Sequence, residues 1–113
     1  MTPDLRSLAG RMETELRGAE LAHGAMLAAV ELNAPSAESV NEVMIGKALM
    51  ADHAIRAVEL AMELAGGAGF YRAAGLERCF RDIQGARYHP MQAGRQAQYA
   101  GAVALGEPVA TVF

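Results

Sequence analysis

The sequence predicts an all-α protein, an up-and-down bundle of three long helices and one short helix. Three observations predict it. Hydrophobic residues make up 52% of the chain but aromatics only 5%, with no Trp. The apolar content is therefore mostly Ala, Leu, Val and Met, which fill helix interfaces rather than strand faces. Apolar positions recur at steps of three and four over long stretches, which is the helical period. Clusters of Pro and Gly then punctuate the pattern at residues 33–36, 66–69 and 106–108.

The first helix opens at Thr2-Pro3-Asp4, where Thr caps, Pro suits the first helical position and Asp favours the positive end of the dipole. Its apolar stripe is Leu5, Leu8, Met12, Leu16, Ala19, His23, Met26 or Leu27, and Val30, reaching Leu32. Pro35 then ends it, because Pro disfavours a helical residue before it and has no N–H to continue the ladder. Ser39 and Glu42 have capping-box spacing, so the second helix is expected to start there. Val40, Met44, Lys47 or Ala48, Ala51, Ile55, Val58, Met62 and Ala65 form its stripe, and Gly66-Gly67-Ala68-Gly69 ends it. A short helix is expected from Leu76 to Gln84 with Leu76, Phe80 and Ile83 inward. The last starts at Pro90, runs through Met91, Tyr99, Val103 and Leu105, and stops at Gly106-Glu107-Pro108. Residues 109–113 are either a frayed apolar tail or a docking arm.

At 113 residues and 11.9 kDa the chain is expected to form one domain, residues 1–113. Its net charge of −3 gives no cationic field to gather phosphates, so nucleic acid is not an expected partner. The charge is uneven. Residues 1–71 carry five basic side chains against ten acidic ones, whereas residues 72–113 carry five Arg against three acids. Any anionic ligand is expected at the basic end. The lone Cys79 forms no internal disulfide, no secretory signal is evident, and charges interrupt every apolar run. A cytoplasmic location without membrane contact is the default. Three long apolar stripes in a bundle of this size leave one face without a partner. A partner subunit or a further helix is expected to cover it.

Chemistry-bearing motifs are few. Glu20 and His23 share one helix face at a three-residue step, as in di-iron bundles, but one copy lacks the second motif and the further carboxylates such a site needs. No metal site is expected. Cys79 has no His partner for nucleophilic work. The Gly66–Gly69 run follows a helix rather than a strand, so by itself it is a C-cap, not a nucleotide fingerprint. Arg72, Arg78, Arg81 and Arg87 after it either hold a phosphate or pair with Glu77, Asp82 and helix-end carbonyls.

Two motifs taken together are more specific. Leu64-Ala65-Gly66-Gly67-Ala68-Gly69-Phe70, followed by Leu76-Glu77-Arg78-Cys79-Phe80-Arg81-Asp82, closely resembles the C-terminal helical domain of acyl-CoA dehydrogenases. That pattern is Gly-Gly-x-Gly-aromatic, then a Leu-x-Arg-x-aromatic-Arg-Asp helix. The resemblance extends over the whole chain as the family's last three main helices and the short one between them. The family's other domains, and the first long helix of its C-terminal bundle, are not in this sequence.

The resemblance implies assembly as a homo-oligomer, a dimer or tetramer, and a Gly-Gly turn that reaches FAD held largely by the neighbouring subunit. It marks Gly66 and Gly67 as flavin-contacting positions. Glu63 stands where the family commonly has a Gln that donates to the cofactor; an ionised Glu only accepts. The loop before the last helix often carries Glu-Gly-Thr, with Glu taking the α-proton of the substrate and Thr binding the flavin. Here the matching residues are Ala93, Gly94 and Arg95. A methyl group accepts no proton, so no catalytic residue is expected in this chain alone, and Arg95 is left as a contact to a cofactor phosphate. Acyl-CoA oxidation is expected only with chains or domains supplying the rest. The alternative is a non-catalytic helical oligomerisation or interaction module.

Overall fold

The computed structural model describes residues 2–32, 34–66, 75–87 and 93–112. Four α-helices make up the described residues, with two 3₁₀ turns and no strand: α1 (Pro3–Leu32), α2 (Ala37–Ala65), α3 (Leu76–Ile83) and α4 (Ala93–Leu105), with 3₁₀ turns at Gln84–Arg87 and Val109–Val112. The all-α expectation holds. The last helix is shorter than the first two, 13 residues against 30 and 29. Its expected start at Pro90 and Met91 lies outside the described residues.

Local chemistry explains the ends. The Thr2 hydroxyl accepts from the Leu5 amide at 3.2 Å, opening α1 as expected. The start of α2 corrects the expected one: Ser36, not Ser39, is the N-cap. Its hydroxyl accepts from the Ser39 amide at 3.0 Å, and the Ser39 hydroxyl accepts from the Ser36 amide at 2.8 Å. Ser36 follows Pro35 with an extended backbone, so it meets the first free amide one turn earlier, and Ser39 serves where Glu usually closes the box. Changing Ser36 to Ala is expected to cost about 1 kcal/mol. Urea unfolding checks this, as a lower midpoint at unchanged slope.

α1 and α2 are antiparallel: Glu15 meets His53, whereas Ala22 and Met26, further along α1, meet Gly46, earlier on α2. The approach is close at two points. A Cβ built on Gly46 would lie 3.0 Å from the Met26 Cβ and 3.3 Å from the Ala22 carbonyl oxygen, and one on Gly18 would lie 2.9 Å from the His53 ring.

These contacts define a buried face of α2 that the single expected stripe omits. Gly46, Ala57 and Leu60 are buried as well as Ala51 and Ile55. A helix packed on two sides needs two stripes. α2 is accordingly the spine: α1 runs along it, and α3, the first 3₁₀ turn and α4 also pack against it. α4 is anchored by Tyr99, 4% exposed, whose hydroxyl donates to the Ala37 carbonyl at 3.4 Å.

The buried track of α1 also differs from expectation. Ala19 is buried as expected, but its buried companions are Ala22 and Ala29, whereas Leu16, His23, Leu27 and Val30 are exposed. Small side chains let the two backbones approach, which turns the larger ones onto the flank. Among the described residues no large side chain is fully buried. Leu21 and Leu32 are exposed too, so the C-terminal half of α1 is apolar around most of its circumference. A helix of that kind is normally covered on more than one side.

Candidate functional site

Glu63 and Gly66 close the C-terminal end of α2. Gly66 has φ 61° and ψ −138°, a conformation open essentially to glycine, and its N–H donates to the carbonyls of Met62 and Glu63. Among the described residues nothing lies within 4 Å of where its Cβ would stand. Glu63 is exposed one turn before it. Gly67 lies outside the described residues.

Arg95 is exposed in the first turn of α4, one turn before Tyr99. Since Tyr99 meets Ala37, Arg95 stands near the N-terminal end of α2. Ala37 and Glu63 are separated by about 39 Å along the helix axis at ~1.5 Å per residue. The structure therefore brings Glu63 and Gly66 together and leaves Arg95 at the other end of the spine. Ala93 occupies the first position of α4.

The arginines after the glycine-rich sequence are engaged locally. Arg81 lies 3.6 Å from Glu77 and Arg78 lies 3.6 Å from Asp82, each one turn apart on α3. Arg87 donates to the Gln84 side chain at 2.7 Å and reaches Glu59 of α2 at 3.7 Å. Arg72 lies outside the described residues. Glu20 accepts from Arg17 at 2.7 Å while His23 points to solvent. Hydrogen bonds and charge from Glu20 and then Glu13 hold the Arg17 guanidinium above its already high ordinary pKa. Cys79 is exposed. Among the described residues no three His, Cys, Asp or Glu side chains are grouped to hold a metal ion.

A polar groove between α1 and α2 is absent from the sequence reading. It encloses about 590 Å³ and is lined by Ser7, Gly10, Arg11, Thr14 and Glu15 from α1 and by Arg56, Glu59, Leu60 and Glu63 from α2. Next to it, Glu15 and His53 share a 2.6 Å hydrogen bond across the helix seam, with Arg56 4.0 Å from the same carboxylate. Both partners are more than half buried, and the His53 ring rests on Gly18. The signal was present: Glu15 falls three and four residues from Met12 and Ala19, on the packed side of an otherwise apolar stripe.

Comparison with known proteins adds one finding. The family model described as acyl-CoA dehydrogenase, C-terminal domain, matches residues 3–93. That span contains α1, α2, the glycine-rich sequence 66–69 and α3. No curated protein matches the chain, and no solved structure does. No described helix is long and apolar enough to cross a membrane. With a family match over most of its length and an all-helical fold whose second helix is capped by Gly66, the chain belongs to the acyl-CoA dehydrogenase C-terminal domain family.

Proposed function

We propose that this chain is an assembly and cofactor-contacting domain of an acyl-CoA dehydrogenase-like flavoprotein. It associates with copies of itself as a dimer or tetramer. With the remaining domains present, it contributes to holding FAD for the oxidation of acyl-CoA thioesters. The observation that carries this reading is the family match over residues 3–93.

The residues at the end of α2 suit such a group. Glu63, exposed and without an ion-pair partner among the described residues, accepts hydrogen bonds from an amine edge. Gly66, having no Cβ, admits a ligand at van der Waals distance. FAD, when bound, supplies the hydride acceptor. The chain's part is to bind and orient: Glu63 and Gly66 form one contact region, to which the family resemblance adds Gly67, and Arg95 forms another. Because their separation is large within one protomer, they serve different parts of an oligomer. Arg95 offers a charge-assisted contact to an anionic oxygen. Ala93 holds no proton, so the substrate's base comes from outside this chain.

The second reading, a non-catalytic oligomerisation module, draws on the apolar surface of α1, which packs on α2 and leaves Leu16, Leu27 and Val30 exposed. Light scattering on the sized protein, with polarisation of flavin fluorescence on adding FAD in the presence of the remaining domains, tests both. An oligomer that takes up FAD, and loses that uptake on Glu63→Ala, supports the flavoprotein reading. An oligomer indifferent to FAD leaves the module; a monomer indifferent to FAD removes both.

A further inference from the structure

We propose that the groove between the N-terminal half of α1 and the C-terminal half of α2 binds a small zwitterion of the amino-acid class, with an ammonium and a carboxylate on a short apolar body. Charge accounting in the groove carries the proposal. Five charged side chains line it. Glu15 is met by His53 at 2.6 Å and by Arg56 at 4.0 Å, and Glu59 is met by Arg87 at 3.7 Å. Two charges remain without a partner among the described residues, Arg11 on the α1 wall and Glu63 on the α2 wall, and they are of opposite sign.

An isolated anion entering the groove gains Arg11 but meets Glu63; an isolated cation gains Glu63 but meets Arg11. A zwitterion satisfies both, and two charge-assisted bonds fix its direction. Leu60, almost fully buried, contributes the apolar lining from α2, and the Thr14 hydroxyl, which donates to the Gly10 carbonyl at 2.8 Å, retains lone pairs to accept from an ammonium. A volume of about 590 Å³ falls within the range of small-molecule sites.

The site goes beyond the flavin reading. It shares Glu63 with that reading but depends on Arg11, which the flavin reading does not use. The test is titration of the purified chain, by calorimetry and amide chemical shifts, with three probes of one shape. Leucine carries both charges, leucinamide only the cation, and isocaproate only the anion. Saturable binding is expected for leucine, at least about tenfold tighter than for either analogue. Arg11→Gln and Glu63→Gln are each expected to weaken leucine about tenfold or more. Both residues are exposed, so circular dichroism should show unchanged helix content. Leucine no tighter than its singly charged analogues, or unaffected by Arg11→Gln, overturns the proposal. FAD uptake measured on Arg11→Gln separates the two readings, since the flavin contact survives loss of that guanidinium.

Discussion

Replacing Ile55 with alanine is expected to destabilise the chain by about 2–5 kcal/mol, the usual cost of emptying a well-packed position. Ile55 lies midway along α2, the helix against which all the others pack, and at 3% exposure it is the most buried hydrophobic side chain described. At ~4–8 °C per kcal/mol for a domain of this size, the melting temperature should fall by roughly 10 °C or more. Calorimetry and urea unfolding at one fixed protein concentration measure this, because association would add its own stabilisation. A loss below about 1 kcal/mol would mean that Ile55 is not at the centre of the packing.

Gly46→Val is expected to destabilise by about 1–3 kcal/mol through overpacking. The added Cβ alone meets the Met26 Cβ at 3.0 Å and the Ala22 carbonyl oxygen at 3.3 Å. Backbone atoms cannot swing away as a side-chain tip does, so the two valine methyls force α1 off α2. The sign should reverse at Gly24, also in a helix interior, where nothing among the described residues lies within 4 Å of an added Cβ. There Gly24→Ala should stabilise by up to about 1 kcal/mol from helix propensity. Unfolding of both variants in parallel checks the contrast. If Gly46→Val were neutral, the close crossing of α1 and α2 would have to be abandoned.

How much of this was legible in the sequence varies by residue. Pro35 and the two helix-ending glycines, Gly66 and Gly106, mark boundaries through backbone rules that act over one turn, and the helices end where those rules place them. Ser36 and Ser39 show the limit of such rules. Both offer a hydroxyl to a helix start, and the extended backbone after Pro35 decides which one caps. The buried face of α1 was harder to read. Periodicity marks Leu16, Ala19, Leu27 and Val30 as apolar at helical spacing, yet of these only Ala19 is buried, and its inward companions are Ala22 and Ala29. A small side chain contributes little to an apolar pattern but permits the shortest distance between helix axes. For the candidate site, Glu63 and Gly66 were legible as neighbours on one helix end. Their distance from Arg95 was not, because the relation between α2 and α4 depends on where Tyr99 docks.

The sequence by itself determined the class of fold, the number of helices, where most of them end, and the family to which the chain belongs, because each follows from patterns within a few turns of chain. The tertiary structure alone decided that α2 has two packed faces, that Glu15 and His53 share a hydrogen bond across the seam, and that Arg11 and Glu63 stand on opposite walls of one groove without a partner among the described residues. Those relations join residues some 40 or 50 positions apart. They are set by the register in which α1 lies against α2, where Gly18 and Gly46 admit close approach.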